Sequence, residues 1–175
     1  DRRGPDRGAA SRRQRTMEVI LPDEAATTAA GAALAQSLPD LTGRSLLIGL
    51  SGELGSGNTT LARRLLRALG VTGTIRRPTF TLVEPYETSR GTVHHLDLYR
   101  LGEGARELET LGYRDIRALP GLVVVEWPER AGKGLGAPDL AITLEHRPDG
   151  RAMRLVAATP AGAEWIVALS GTALR

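Results

Sequence analysis

Apolar residues in the first half of the chain follow two different spacings. A continuous apolar run spans residues 46–50, and the leucines further along are three or four positions apart, at 61, 65, 66 and 69. The run is typical of a buried strand, whereas the leucine spacing indicates an amphipathic helix. Gly52, Gly55 and Gly57 lie between the two segments. Residues 45–70 are therefore predicted to form a strand, a glycine loop and a helix.

The rest of the chain alternates between strand-like and helix-like patterns. The apolar run at 122–126 lies between Pro120-Gly121 and Pro128, which predicts a buried parallel strand. Turns at 88–91 and 148–150 predict two hairpins. The other strands are expected over 17–21, 79–86, 92–98, 140–145 and 153–158, and helices over about 23–38, 104–111 and 113–119, with a glycine-rich loop over 130–138. The pattern predicts a three-layer α/β fold with a mostly parallel sheet and antiparallel edge hairpins.

Composition narrows the possible classes of protein. The 175 residues suit one domain, the chain has no cysteine, and no apolar run approaches the length of a membrane span. Residues 1–16 hold six arginines and two aspartates, which leaves 17 basic and 18 acidic residues in the remainder. We therefore predict a disordered basic tail over 1–16 and a single domain over 17–175. An RNA-contacting arm is the alternative for the tail, and Met17 is a candidate natural start.

The glycine loop has the chemistry of a phosphate-binding loop. Backbone N–H groups of successive glycines form an anion nest, and the following helix adds the positive end of its dipole. The pattern G-x-x-x-x-G-K-[ST] fits from Gly52 to Thr59, except that Asn58 stands where lysine is expected. The candidate nucleotide-binding residues of this loop are Gly52, Glu53, Leu54, Gly55, Ser56, Gly57, Asn58, Thr59 and Thr60.

Two acidic residues end predicted strands. Glu126 follows the buried run at 122–125, and Asp97 follows the strand before it. Because the carboxyl ends of parallel strands share one edge of a sheet, both carboxylates are expected beside the loop. Thr59 occupies the position of the Mg²⁺-binding hydroxyl. Each acid taken alone is also explained as a helix cap or a surface ion pair. His94 and His95 point to opposite faces of their strand, so they are not a metal-binding pair.

Five segments in order resemble the TsaE (formerly YjeE) family of bacterial P-loop ATPases. They are GELGSGNTT (52–60), PTFTLVEPY (78–86), HLDLYRL (95–101), ELETLGYRD (107–115) and VVVEWPER (123–130), within a match over about residues 20–158. The resemblance implies a P-loop NTPase-like fold and a cytoplasmic protein that uses ATP/ADP and Mg²⁺. It also implies that the protein works with the partners TsaB and TsaD, which place threonylcarbamoyl on N6 of adenosine 37 in tRNA. Contact with tRNA would then be indirect, through the complex, and no membrane is involved.

The resemblance also assigns roles to residues. Ser56 to Thr60 would hold the phosphates, and Thr59 and Glu126 would bind Mg²⁺. Asp97 would act in hydrolysis by orienting or polarising the water. The remaining nucleotide contacts would be Thr79 in a switch-like segment facing the γ-phosphate, Thr27 near the base, and Arg151 after the last turn.

Asn58 departs from the family's lysine, which predicts weak ATP binding and much reduced hydrolysis. Lys133, the only lysine in the chain, is a candidate substitute because its loop follows the Glu126 strand. Two other functions stay open: a non-catalytic docking subunit of the same machinery and a small-molecule P-loop kinase. No stretch reads as the arginine-rich lid of a kinase.

Overall fold

A computed structural model describes residues 15–75, 83–101 and 105–172. Thirteen elements follow one another in these ranges. The strands are β1 (Thr16–Leu21), β2 (Ser45–Gly52), β3 (Val83–Thr88), β4 (Gly91–Asp97), β5 (Gly121–Glu126), β6 (Leu140–Arg147) and β7 (Gly150–Ala157). The helices are α1 (Glu24–Gln36), α2 (Asn58–Ala68), α3 (Ala105–Thr110), α4 (Tyr113–Ala118), a 3₁₀ helix (Pro128–Leu135) and α5 (Pro160–Gly171).

The described strands form one mixed sheet in the order β1-β7-β6-β2-β5-β4-β3. Strands β6, β2, β5 and β4 are parallel neighbours at the centre. The pairs β3–β4, β6–β7 and β1–β7 are antiparallel and lie toward the edges. Both predicted hairpins are thus confirmed, as is the parallel pairing of β5, which is buried along its whole length.

Each face of the sheet carries its own layer of helices. On one face the strands pack against α1, α2 and α5, with Leu34, Leu65 and Trp165 fully buried among them. On the other face, Leu47, Leu96 and their neighbours pack against α3, α4 and the 3₁₀ helix. The alternation of side chains along a strand divides the core in this way. The predicted three-layer α/β fold is confirmed.

Helices α1 and α2 pack closely together where α1 has a glycine. A Cβ added at Gly31 would lie 2.6 Å from Cβ of Arg64, a distance shorter than any ordinary carbon–carbon contact. Gly31 costs helix propensity in the middle of α1. In exchange, the two helix backbones approach each other more closely than any larger residue would allow.

Two parts of the fold differ from the sequence-based prediction. The predicted glycine-rich loop over 130–138 is wrong for residues 130–135, because residues 128–135 form 3₁₀ turns that break at Gly132 (φ 56°) and bury Ala131 and Leu135. Helix α5 was not predicted. Thr159 caps its N-terminus, where the threonine hydroxyl accepts a hydrogen bond from the backbone N–H of Gly162.

Candidate functional site

Two positions of the loop between β2 and α2 favour glycine, Gly52 for lack of space and Gly57 for its backbone conformation. A Cβ at Gly52 would lie 2.5 Å from the backbone oxygen of Leu144 on the neighbouring strand. Gly57 has a φ of 105°, and a Cβ there would lie 3.0 Å from Nη1 of Arg151. The loop is therefore confined by β6 on one side and by a guanidinium group of β7 on the other.

Helix α2 begins without a side-chain cap. Asp23 caps α1 and Thr159 caps α5, but Gly57 at the start of α2 has no side chain to do so. The first backbone N–H groups of a helix lack intrahelical partners and carry the positive end of its dipole. Among the described residues, the buried Ser56 Oγ and Asn58 Oδ1 of this loop also have no hydrogen-bond partner. The Ser56 hydroxyl can donate to an external acceptor, and together with the uncapped N–H groups it makes this loop suited to an anion such as phosphate. The amide oxygen of Asn58 can only accept, so it adds nothing to anion binding.

A hydrogen bond joins α2 to the end of β5. The hydroxyl of Thr59 donates to Oε1 of Glu126 at 2.7 Å, although the two residues are 67 positions apart. The other carboxylate oxygen, Oε2, lies 2.6 Å from Nε2 of His95 on β4. Glu126 and His95 are only 2% and 1% exposed. A buried carboxylate is costly unless it is paired, and here each oxygen has a partner.

Asp97 lies beside this group. In the parallel pairing of β4 and β5, Asp97 is directly opposite Glu126, and His95 is opposite Val124. Neighbouring strands are about 4.7–4.9 Å apart, so the two acidic residues share one edge of the sheet. Oδ1 of Asp97 accepts a hydrogen bond from the backbone N–H of Tyr99 at 3.1 Å. Thr59 is hydrogen-bonded to Glu126, and Asp97 is opposite Glu126 on the neighbouring strand, so both carboxylates lie at one edge of the sheet beside the loop, as the sequence predicted.

An open cleft of about 370 Å³ lies on the Arg151 side of the loop. Thr60 lines it from α2, Arg151 from β7, and Asp23 and Glu24 from the start of α1. A larger cleft, of about 710 Å³, lies between the beginning of the loop and the side chain of Trp127. Two predicted nucleotide-binding residues, Thr60 and Arg151, therefore line one cavity that adjoins the loop.

Three other sequence-based candidates have different surroundings. Thr27 is fully buried in the first turn of α1, and its hydroxyl donates to the backbone oxygen of Asp23 at 3.4 Å. Its contact with a nucleotide stays a prediction that requires the side chain to become accessible. Thr79 lies outside the described residues. Lys133 is exposed on the 3₁₀ helix, and no described contact brings it to the loop.

Trp127 immediately follows Glu126 and has an unusual backbone conformation. Its φ of 58° makes it the only non-glycine residue with positive φ among those described. Its ring packs against Tyr99 with centroids 5.0 Å apart, and Arg130 lies over both rings. These contacts give Trp127 a packing role. A left-handed tryptophan costs free energy, which the stacking offsets.

Whether magnesium fits this site depends on the donors present. No group of three or more His, Cys, Asp or Glu side chains that could hold a metal occurs in the described ranges. Mg²⁺ usually takes one or two carboxylates together with phosphate oxygens and water, rather than a full protein cage. A threonine hydroxyl bonded to a buried carboxylate, next to an uncapped helix, provides that kind of partial donor set. The residues therefore fit magnesium delivered with a nucleotide.

Sequence reasoning did not identify His95 as a partner of Glu126. The alternation of the strand did place His94 and His95 on opposite faces, and this is confirmed, because His95 is buried while His94 is half-buried. Burial lowers the pKa of His94, which takes no part in the site. No local signal was available, because the contact depends on β4 lying beside β5, where His95 is opposite Val124 and Glu126 is two residues further along.

Comparisons with known proteins agree on one family. The family model described as "Threonylcarbamoyl adenosine biosynthesis protein TsaE" matches residues 21–154. A Haemophilus influenzae protein named tRNA threonylcarbamoyladenosine biosynthesis protein TsaE is 35% identical, over 89% of this chain and 98% of its own length. A Synechocystis protein of the same name is 45% identical, over 67% of this chain and 73% of its own.

A solved structure has the same fold. The crystal structure of Bacillus subtilis YdiB superposes with a TM-score of 0.69 at 22% sequence identity, covering 89% of this chain and 95% of that chain. The identity is low, so this match supports the architecture of the sheet and its helices. None of the helices in the described ranges has the length and hydropathy of a membrane span.

Proposed function

This chain belongs to the TsaE family, and on that premise we propose that it is the ATP-binding subunit of the machinery that makes N6-threonylcarbamoyladenosine at position 37 of tRNA. The names of its relatives support the process, since they are called tRNA threonylcarbamoyladenosine biosynthesis proteins. In this proposal the protein works in the cytoplasm with TsaB and TsaD and reaches tRNA only through that complex.

The observation that carries the proposal is the hydrogen bond between Thr59 and Glu126 at the start of an uncapped helix. In P-loop proteins a hydroxyl at this position and an acidic residue on a neighbouring strand hold Mg²⁺ beside the phosphates. The buried and unpartnered Ser56 Oγ adds a polar group that a phosphate would satisfy.

Each residue then has a role in binding or in placing the attacking water. Backbone N–H groups of residues 52–60 and the Ser56 hydroxyl bind the phosphates, and Arg151 adds positive charge at Gly57. Thr59 and Glu126 hold magnesium, which neutralises phosphate charge when it is bound. Asp97, on the same sheet edge, orients the water by accepting a hydrogen bond from it.

Asn58 sets the expected level of activity. Lysine at this position gives the phosphates a full positive charge, whereas the asparagine amide gives only a neutral dipole. We expect weak ATP binding and much slower hydrolysis than a lysine-containing loop would support. The same residue favours a second function, in which the chain is a non-catalytic docking subunit that binds nucleotide and its two partners without turning over ATP.

Two measurements test the proposal. The first is co-purification of this chain with TsaB and TsaD, with and without ATP and Mg²⁺. The second is phosphate release by the chain alone and in the complex. Binding with turnover supports the ATPase, and binding without turnover supports the docking subunit. Failure to bind nucleotide and both partners would refute both functions.

A further inference from the structure

His95 occupies a position on the sheet where an apolar residue would be expected. Side chains alternate between the two faces of β4, so His95 lies on the same face as Val93 and opposite to Leu96. The histidine therefore shares its face with the buried residues that pack beneath α2. The opposing residue on β5 is Val124, which is fully buried. A polar ring in this apolar layer is costly to bury unless its hydrogen bonds compensate.

The ring makes one hydrogen bond, and it is directed at the carboxylate. Nε2 lies 2.6 Å from Oε2 of Glu126, while Nδ1 is buried and has no partner among the described residues. A carboxylate oxygen can only accept, so Nε2 carries the hydrogen. Nδ1 is then the nitrogen with the lone pair, because an unpaired buried N–H would cost more than an unpaired acceptor. One tautomer of His95 is thus selected by its surroundings.

The carboxylate of Glu126 is consequently held from both sides. His95 fixes Oε2, which leaves Oε1 directed at the Thr59 hydroxyl. A glutamate side chain has one more rotatable bond than aspartate and loses more rotamer freedom on being fixed. A second contact on the far oxygen restricts that freedom before any ligand binds.

We propose that His95 is a positioning residue for magnesium binding, which acts by clamping the Glu126 carboxylate in the orientation that meets Thr59. This inference rests on the proposed function, because it assumes that Thr59 and Glu126 receive magnesium with a nucleotide. Groups that orient a metal ligand typically contribute about 10- to 100-fold to metal affinity. His95 itself does not contact the nucleotide or the metal.

The test compares two variants with the same polarity and different reach. In His95→Gln the amide nitrogen extends about as far as Nε2 and can still donate to Glu126. In His95→Asn the amide nitrogen extends only as far as Nδ1 and cannot reach Glu126. Both variants bury one amide group, so the free-energy cost of burying a polar group is the same in the two. His94→Gln, on the opposite face of the same strand, is the control.

The measurement is the affinity for a fluorescent ADP analogue, first in EDTA and then along a Mg²⁺ titration. Each variant is made in the chain as it stands and together with Asn58→Lys. Mg²⁺ should increase the affinity for the analogue, and we expect His95→Asn to raise the Mg²⁺ concentration that gives half of this increase by roughly 10-fold. His95→Gln and His94→Gln should shift that concentration by less than about 3-fold. The affinity of each variant for the analogue in EDTA should be unchanged.

The outcomes separate this inference from the function on which it rests. Equal Mg²⁺ midpoints for His95→Asn and His95→Gln would refute the positioning role and leave nucleotide binding intact. A loss of affinity by His95→Asn in EDTA as well would also refute it, because that result indicates general damage to the fold. If no version of the chain binds the nucleotide, the proposed function fails and this inference fails with it.

Discussion

Restoring the lysine at position 58 tests the phosphate loop directly. Asn58 is the first residue of α2, and its short side chain lies across the loop. Its Nδ2 atom is 3.1 Å from the point where a Cβ on Gly52 would be. Its Oδ1 atom is buried without a partner. Asn58→Lys removes that unpaired acceptor and places a flexible ammonium group at the helix start, where the backbone N–H groups already favour anions.

The expected magnitude follows from the kind of hydrogen bond that a lysine ammonium would donate to a phosphate. A hydrogen bond to a charged group contributes about 1.5–3 kcal/mol, which corresponds to roughly 10- to 150-fold in affinity. Asn58 is only half-buried, and we therefore expect the lower part of that range for ATP. The effect on turnover should be larger, since losing one donor to a developing charge typically costs about 10²–10³ in kcat.

The assay is calorimetric titration with ATP and Mg²⁺, followed by phosphate release under saturating ATP. Asn58→Gln is the control, because it lengthens the side chain without adding charge and should stay close to the original protein. If Asn58→Lys binds ATP no more tightly than Asn58→Gln, the side chain at position 58 does not contact the phosphates. If the unaltered chain already matches the lysine variant in turnover, the missing charge comes from elsewhere, and Arg151 is the first group to test.

Three further predictions concern neighbouring groups. Arg151→Gln should weaken ATP binding by roughly 10-fold, as expected for the loss of a charge-assisted contact. Arg154 lies on the same strand but is paired with Glu18, so Arg154→Gln should change ATP affinity by less than about 2-fold. Equal effects of the two substitutions in calorimetry would contradict this prediction. Asp97→Asn in the lysine-restored protein should lower kcat by at least about 100-fold with little change in ATP affinity, and an unchanged rate of phosphate release would remove Asp97 from the hydrolytic role. Burial raises the pKa of the Tyr113 hydroxyl above 10.0, so its contribution to stability is complete below about pH 10 and is lost as the pH rises through the folded value. Thermal unfolding followed from pH 8 to 11 should therefore show a smaller alkaline decrease for Tyr113→Phe, and identical slopes would contradict the assignment.

The sequence predicted the parts of the site that depend on local pattern and sheet geometry. A glycine loop between an apolar run and an amphipathic helix needs only neighbouring residues to be recognised. The meeting of Asp97 and Glu126 follows from a general property of parallel sheets, whose strands end at one edge. Both predictions hold in the structure.

Contacts that depend on tertiary register were not predictable in the same way. The bond between His95 and Glu126 requires β4 and β5 to be neighbours, which no local pattern encodes. The 3₁₀ helix forms where Ala131 and Leu135 reach the core, although its glycines and proline are typical of a loop. Helix α5 did carry a signal, since Thr159 and Pro160 match the residue types found at a helix start.

The absence of a side chain at Gly31 controls a cavity two turns away. The start of α1 lines one wall of the smaller cleft with Asp23 and Glu24, and Thr60 of α2 lines the other. Because the two helix axes are set by the Gly31–Arg64 crossing, even one methyl group there acts as a wedge. It forces the walls apart, so the width available to a ligand is determined by a residue that the ligand never touches.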